Sequence, residues 1–383
     1  MFEVIETKKD LIQFVQKISN SCWLALDTEF LREKTYYAKL CLIQIESNEG
    51  LRACIDPLSI KDISPLTELL NNPAITKVFH AAHQDLEILL QITGIVPAPI
   101  FDTQTAASVL GIGDQMGYAR LIESMTGKVL SKTQSRTNWE QRPLKPAQLE
   151  YAIDDVRYLA QIYPKMLEQL TSKSRLEWLD KDFNQAVNPD TYAINATEKW
   201  KKVRGLQVLK RPQLAILKLL TAWREERAES SNLPRKWVIS DEILLELAKQ
   251  QPSDISGLSD IRGLNIDRTK KHHKTWLSLI QQGQDIPESE WPELPRSKKP
   301  TPNQNLTIDL LMLVLQLQAK EHGITPAVIA SRKQVAQMIQ AGETSLSEDW
   351  RGKLVNDVFA KVLSGELQLG LEKNSVKLRP LSS

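Results

Sequence analysis

The chain is short of cysteine, of net charge and of long apolar runs. Its 383 residues contain three cysteines, Cys22, Cys41 and Cys54. An odd number, all in apolar or strand-like surroundings, excludes a disulfide framework and fits a reducing compartment. The formal net charge is only +2, so no chain-wide field marks a nucleic-acid binder, and any basic surface must be local. The most apolar helical stretch, Leu306 to Leu317, is broken by Asp309 and Gln316 and is too short to cross a bilayer. The opening Met1-Phe2-Glu3-Val4-Ile5-Glu6-Thr7 lacks the basic and apolar regions of a secretion signal. The expectation is a cytoplasmic protein with no membrane association. Histidine is scarce too. His80 and His83 stand three apart, but with no cysteine or third histidine nearby they argue against zinc and for a structural or substrate-contact role.

What is present describes an ordinary globular chain, 42% hydrophobic and 25% charged, long enough for two to three domains. Residues 1 to about 170 alternate short apolar strands (near 22–27, 40–46, 51–55 and 75–79) with helical stretches. This is an α/β or α+β pattern around a mixed sheet. Helical signals dominate afterwards. Two linkers punctuate them: Gln185 to Asn195, with Asn188-Pro189-Asp190, and Gln284 to Asn305, with Pro287, Pro292, Pro295, Pro300 and Pro302. Domains are expected at 1–185, 200–284 and 304–383.

Three segments carry the chemistry. Trp23-Leu24-Ala25-Leu26 reads as a strand buried on both faces, and it runs into Asp27-Thr28-Glu29-Phe30. Side chains alternate along a strand, so Asp27 and Glu29 share a side, where two carboxylates repel and need a shared cation. Hard divalent ions suit carboxylate oxygen. The second segment, Val78 to Glu87, turns from strand to helix near His83 and places Asp85 in the first helical turn, where the helix dipole favours an anion. The third, around Tyr151-Ala152-Ile153-Asp154-Asp155, reads as a helix with an apolar stripe of Leu149, Ile153, Val156, Leu159 and Ala160. Tyr151 and Asp155 share a face of it. Asp154 lies about 100° round the helix and reads as a surface charge or a partner of the site's ligands.

In order and spacing these segments resemble ribonuclease D, of the DEDD exonuclease superfamily, in the branch whose third motif carries tyrosine. The resemblance spans nearly the whole chain. Asp27 to Phe30 matches the D-T-E-F motif, His80 to Glu87 the H-x4-D-L-E type, and Tyr151 with Asp155 the Y-x3-D motif. Leu31 to Tyr37, Leu42-Ile43-Gln44 and Thr137 to Leu144 are also similar to the family. The resemblance implies a ribonuclease-H-like sheet and a 3′→5′ exoribonuclease that releases nucleoside 5′-monophosphates. It implies catalysis by Asp27, Glu29, Asp85, Tyr151 and Asp155 with two divalent cations, Mg2+ or Mn2+. Asp27, Glu29 and Asp155 would hold the ion carrying the attacking water. Asp27 would bridge to the second ion, Asp85 would support that one through water, and Tyr151 would orient the nucleophile. Phe30 and His80 are expected at the substrate. The implied partners are tRNA precursors and other structured RNA with a free 3′ end, met by a monomer. A proofreading DNA exonuclease shares the motifs, but no polymerase or helicase domain accompanies them. A non-catalytic scaffold is opposed by the intact carboxylates.

The segments after residue 200 look like a divergent repeat of about 90 residues. Leu219-Leu220 matches Leu310-Leu311, Leu233 matches Ile324, Ser240 matches Ser331, and Ile261-Arg262-Gly263 loosely matches Trp350-Arg351-Gly352. The first copy resembles the HRDC domain through Leu220-Thr221-Ala222-Trp223-Arg224, Leu233-Pro234 and Val238 to Leu244. Two all-α modules are therefore expected. The second departs, with Val314-Leu315 where the first has Trp223-Arg224. Between Lys199 and Trp237 eleven Lys and Arg face three acids. Lys201, Lys202, Arg204, Lys210 and Arg211 are the expected contacts to an RNA backbone. Because the catalytic motifs all precede residue 160, a chain cut near Val187 is expected to retain chemistry on short single strands.

Overall fold

The computed structural model describes every residue except 131–133, 135, 136, 295–298, 382 and 383; Pro295 of the second linker thus lies outside the described residues. Along the chain run β1 (Glu3–Ile5), α1 (Lys8–Ile18), β2 (Trp23–Leu31), β3 (Lys39–Ser47), β4 (Arg52–Ile55), α2 (Ser64–Leu70), β5 (Thr76–Phe79), α3 (His83–Thr93), β6 (Ile100–Asp102), α4 (Thr103–Leu110), α5 (Tyr118–Thr126), α6 (Pro146–Ser172) and α7 (Asp180–Ala186). Then come α8 (Arg211–Ser230), α9 (Arg235–Val238), α10 (Asp241–Gln250), α11 (Ile255–Ser259), α12 (Ile266–Thr269), α13 (His273–Gln284), α14 (Pro302–Glu321), α15 (Pro326–Ile329), α16 (Arg332–Ala341), α17 (Trp350–Leu363), β7 (Leu367–Glu372) and β8 (Ser375–Pro380). They form two compact units. One comprises Met1–Glu29, Leu40–Thr191 and Lys298–Ser383; the other comprises Phe30–Lys39 and Tyr192–Ser297.

The first unit is built on a mixed six-stranded sheet in the order β1-β4-β3-β2-β5-β6. Leu24, Ala25 and Leu26 of β2 are wholly buried, as expected for an inner strand covered on both faces. β2 pairs parallel with β5, and β5 with β6. Their carboxyl-terminal parts, with Glu29 near the end of β2 and Phe79 and Asp102 ending β5 and β6, therefore open on one sheet edge, the place where open α/β sheets present ligand sites. Helix α6 spans 27 residues and buries Ala152, Ile153, Val156, Leu159 and Met166. Its apolar stripe turns Tyr151 and Asp155 toward that edge.

The repeat is present in the helices. Arg211 and Pro302, Arg235 and Pro326, and Asp241 and Arg332 open equivalent helices, each pair 91 residues apart. The loose match of Ile261-Arg262-Gly263 with Trp350-Arg351-Gly352 does not hold. Gly263 sits in a turn at φ +84°, whereas Trp350 to Gly352 open α17. The second copy is also not all-α, for it ends in the antiparallel hairpin β7–β8. Its two-residue turn, Lys373-Asn374, has both φ positive, the mirror-image geometry that suits strand twist. A lysine in place of the usual Asn-Gly hid that turn in the sequence.

The second copy lies in the same compact unit as the sheet, and an arginine–tryptophan stack shows why. Trp178 and Trp350 are parallel, 4.3 Å apart and 9° from coplanar. Arg175 lies 5.0 Å over the Trp178 ring and Arg351 4.6 Å over the Trp350 ring, so each indole also has a cation–π partner. Arg175 also donates to the carbonyls of Val109 and His322. Arg351 donates to Asp182 at 2.8 Å and to the Val328 carbonyl at 3.0 Å. Nearby, Gly111 ends α4 at φ +79°, and a Cβ built there would stand 1.8 Å from the Gly323 carbonyl oxygen. Gly111→Ala is therefore expected to lower stability by more than about 1 kcal/mol, through left-handed strain and a backbone clash together. A urea titration with an unchanged midpoint would refute this close packing.

Candidate active site

The sheet edge gathers the motif residues into one cavity of about 430 Å³, lined by Asp27, Glu29, His80, Tyr118, Arg120, Tyr151 and Asp155 among others. Single carboxylate oxygens of Asp27, Glu29 and Asp155 lie within 4.8 Å of one another. Two come from β2, spaced by the strand's alternation, and the third from α6. Asp85 stands outside this tight group. It is buried, and its Oδ1 accepts the hydroxyl of Thr28, which β2 turns away from the side that Asp27 and Glu29 share. Thr28 thus ties α3 to β2, a role the sequence did not reveal.

The electrostatics are those of an uncompensated acidic cluster. Burial, then repulsion from Asp85, Asp155 and Glu29, holds the Asp27 carboxyl well above the usual range. Burial and the charges of Asp155 and Asp85 push Glu29 up to about 9. Burial pushes Asp155 up to about 7, with Asp154 adding to it. Burial does the same for Asp85, to about 7, against the Thr28 hydrogen bond. An all-oxygen donor set of mutually repelling carboxylates, half-buried at Asp27, Glu29 and Asp155 and buried at Asp85, fits a hard divalent cation. Burial and the same acids raise Tyr151, so its phenol stays a proton donor.

Neighbouring side chains hold this arrangement. Trp139 is buried and its ring centre lies 6.2 Å from that of Tyr151. The segment carrying it is anchored by Arg142, which grips Asp56 with two bonds of 2.6 and 2.8 Å and also donates to the carbonyls of Cys41 and Trp139. That grip gives a physical reason for the Thr137 to Leu144 stretch. Two further residues were missed because no local pattern marks them. The Tyr118 hydroxyl donates to the Asp154 and Asp155 carbonyls of α6, and its ring packs edge-on to His80 at 5.4 Å. Asp102 receives the amides of Ala81 and Ala82, both at 3.0 Å, bracing the turn that leads to Asp85. His80 itself shares a hydrogen bond of 3.0 Å with Thr103, and burial lowers its pKa, leaving it neutral. Asp154 pairs with Arg157.

The other expected contacts lie in the second unit: Phe30, Lys201, Lys202, Arg204, Lys210 and Arg211. Lys201 is paired with Glu198, and Arg211 lies 3.1 Å from Glu293, so two of the five basic side chains are locally neutralised.

A ribonuclease-H-like sheet with a half-buried carboxylate triad at its open edge and a phenol beside it defines a metal-dependent exonuclease. Comparison agrees and sharpens this. A 3′-5′ exonuclease family model matches residues 2–171 and the HRDC domain model matches residues 213–280. Curated ribonuclease D of Bartonella henselae is 35% identical over 100% of this chain and 95% of its own length. That of Sphingobium indicum is 36% identical over 98% of each. The crystal structure of Escherichia coli ribonuclease D, an exoribonuclease involved in structured RNA processing, superposes with a TM-score of 0.83 at 32% identity, covering 95% of this chain and 99% of that one. The chain belongs to the ribonuclease D family and is a 3′-5′ exoribonuclease. Among the described residues no helix is long and apolar enough to cross a membrane.

The carboxylate cluster should weaken the metal-free protein. A carboxyl raised in the folded state binds its proton more tightly folded than unfolded. The associated stability is therefore full below the ordinary carboxylate range and is lost as pH climbs through the folded value, for Glu29 from 4.5 toward about 9. In EDTA, the melting temperature is expected to fall as pH rises across this window. Asp27→Asn, which removes one of the repelling charges, should melt several degrees higher than wild type at pH 8. Equal melting curves for the two proteins in EDTA would refute the electrostatic account.

Proposed function

We propose that the chain trims 3′ extensions from structured RNA, tRNA precursors above all, as a cytoplasmic monomer with Mg2+ or Mn2+ at Asp27, Glu29, Asp85 and Asp155. The observation that carries the reading is the meeting of three carboxylates and a protonated phenol in one cavity. When bound, two divalent cations neutralise the phosphate and activate water. Asp27, Glu29 and Asp155 provide their oxygen ligands, and Asp85, set apart against Thr28, supports the second ion. Tyr151 donates its phenolic hydrogen to the attacking water and orients it. His80, neutral and fixed by Thr103, lines the pocket for the terminal nucleotide, and Phe30, next to Glu29 in β2, is the further proposed substrate contact. Arg120, lining the same cavity, offers a cation to the phosphate. The three sequence modules, 1–185, 200–284 and 304–383, divide the work: the first cuts, the second grips RNA, and the third completes the body of the first.

The test is a 3′-labelled RNA incubated with the pure protein. Digestion should proceed from a free 3′ hydroxyl to nucleoside 5′-monophosphates, stop in EDTA and resume with Mg2+. Cleavage of circular RNA, or undiminished activity in EDTA, refutes the proposal.

The grip on the RNA body is supported by a second observation. A cavity of about 330 Å³ in the second unit is lined by Arg227, Lys236, Arg268, Lys271 and His272, with no acidic residue on its walls. Trp237, on the same wall, is 61% exposed. An exposed indole among cations suits base stacking beside phosphate pairing. This surface is a stronger candidate than the partly neutralised Lys201–Arg211 run. Replacing Lys236, Arg268 and Lys271 with Glu should reduce the slope of log affinity against log salt by about two, since each phosphate contact in a single strand contributes about 0.7. Trp237→Ala should weaken binding by about 1–3 kcal/mol. Unaltered slope and affinity for a tRNA precursor would leave the cavity as a solvated surface.

A further inference from the structure

The segment that directly follows the catalytic strand does not belong to the catalytic unit. The chain passes out of the first unit after Glu29 and re-enters it at Leu40; Phe30–Lys39 groups with the helices of the second. A surface loop ordinarily leaves its polar groups to water, but this one is held by a dense polar network. Tyr36 is only 7% exposed. Its hydroxyl donates to Glu225 Oε2 at 3.0 Å and accepts from Arg235 Nη2 at 3.3 Å. Arg235 Nε in turn bonds both oxygens of Glu225, at 2.8 and 2.6 Å, and its guanidinium lies 4.6 Å over the Tyr36 ring. Glu225 is 1% exposed, and a carboxylate so buried requires such partners. The Tyr37 hydroxyl meets Glu229. The amides of Tyr36 and Tyr37 converge on Asn232 Oδ1 at 3.1 and 3.4 Å. Asn232 presents that oxygen from a left-handed conformation, φ +47°, just past the end of α8.

We propose that Tyr36, Tyr37, Glu225 and Asn232 are positioning residues for hydrolysis. The end of α8 and the start of α9 hold the segment and, through it, the carboxyl end of β2. The proposal rests on the exoribonuclease reading of Asp27 and Glu29. Its physical basis is geometric: carboxylate oxygens of Asp27, Glu29 and Asp155 lie within 4.8 Å of one another, where like charges repel, so the backbone must keep them together. Glu29 is also the last residue before the gripped segment, and any slack in Phe30 and Leu31 passes straight to it. A displacement near 1 Å at a reacting constellation costs rate by as much as about 10²-fold. On this view the helical module takes part in chemistry even on a substrate too short to need gripping, and a chain cut near Val187 would lose turnover as well as RNA affinity.

The experiment compares full-length wild type, Tyr36→Phe, Glu225→Gln and their double variant on a ribotrinucleotide across a Mg2+ titration. Tyr36→Phe removes one oxygen from the network and should lower kcat by about tenfold. It should leave KM within about twofold and raise the Mg2+ concentration for half activity, because the carboxylates are no longer pre-set. The double variant should be no slower than the slower single variant, as both break the same contact. An unchanged kcat and Mg2+ response in Tyr36→Phe overturns the proposal. So does a loss confined to KM, which would make the segment a substrate contact. Should Glu225→Gln fail to fold, Tyr36→Phe alone still decides. A wild type inert on every RNA would instead remove the exoribonuclease reading itself, so the two failures are distinguishable.

Discussion

Holding like charges together against their repulsion is the constraint that orders this molecule. Asp27, Glu29 and Asp155 converge within 4.8 Å in a half-buried pocket, where each would be more comfortable protonated or apart. A buried carboxylate without a cation is costly, so the protein must fix both backbones that deliver them. It does so at several points. Tyr118 hydrogen-bonds the α6 carbonyls beside Asp155. Thr28 ties β2 to α3 through Asp85. Arg142 fastens the segment that sets Trp139 against Tyr151. None of these residues needs to touch the reacting phosphate. They make the acidic pocket a pre-formed receptor for cations rather than one assembled on binding.

The carboxylates that converge at the sheet edge were legible because each lies where a strong local signal ends: an apolar strand running into D-T-E, a strand turning into a helix, an apolar helical stripe. Those signals depend only on neighbours in sequence. What stayed hidden depends on contacts across the fold. Thr28 and Asp102 look like ordinary polar residues until α3 and the turn at Ala81 are placed against them. Strand β6 is three residues long and has no periodicity to detect. Charge counting is also local. Lys201 and Arg211 are expected contacts to an RNA backbone, and the count around them omits Glu198, just outside the counted run, and Glu293, more than eighty residues on, which both reach them in space. The acid-free cavity around Trp237 collects side chains from two separated stretches of chain, 227–243 and 263–272, which no single window displays.

The two helical copies show how a repeat can keep its frame and change its work. Three helix starts retain the 91-residue spacing, so the backbone plan is shared. The first copy leaves an aromatic and several cations facing solvent. In the second, Trp350 and Arg351 are turned inward, one stacked on Trp178 and the other bound to Asp182 and the Val328 carbonyl. Where the first copy's surface is free for a polyanion, the second copy's equivalent effort goes into packing.

This packing bears on the order in which the protein can mature. The first unit is discontinuous: its sheet is made early in synthesis and its last helices only after the whole second unit has been translated. Domains generally fold as they leave the ribosome, N-terminal parts first. Here a nascent chain can form the sheet and the helical insert, yet Trp178, Arg175 and the end of α4 must wait for Trp350, His322 and Gly323. Closure of the catalytic body is thereby tied to completion of the polypeptide, and a ribosome-bound fragment of this nuclease would sit beside messenger and transfer RNA with its body still open.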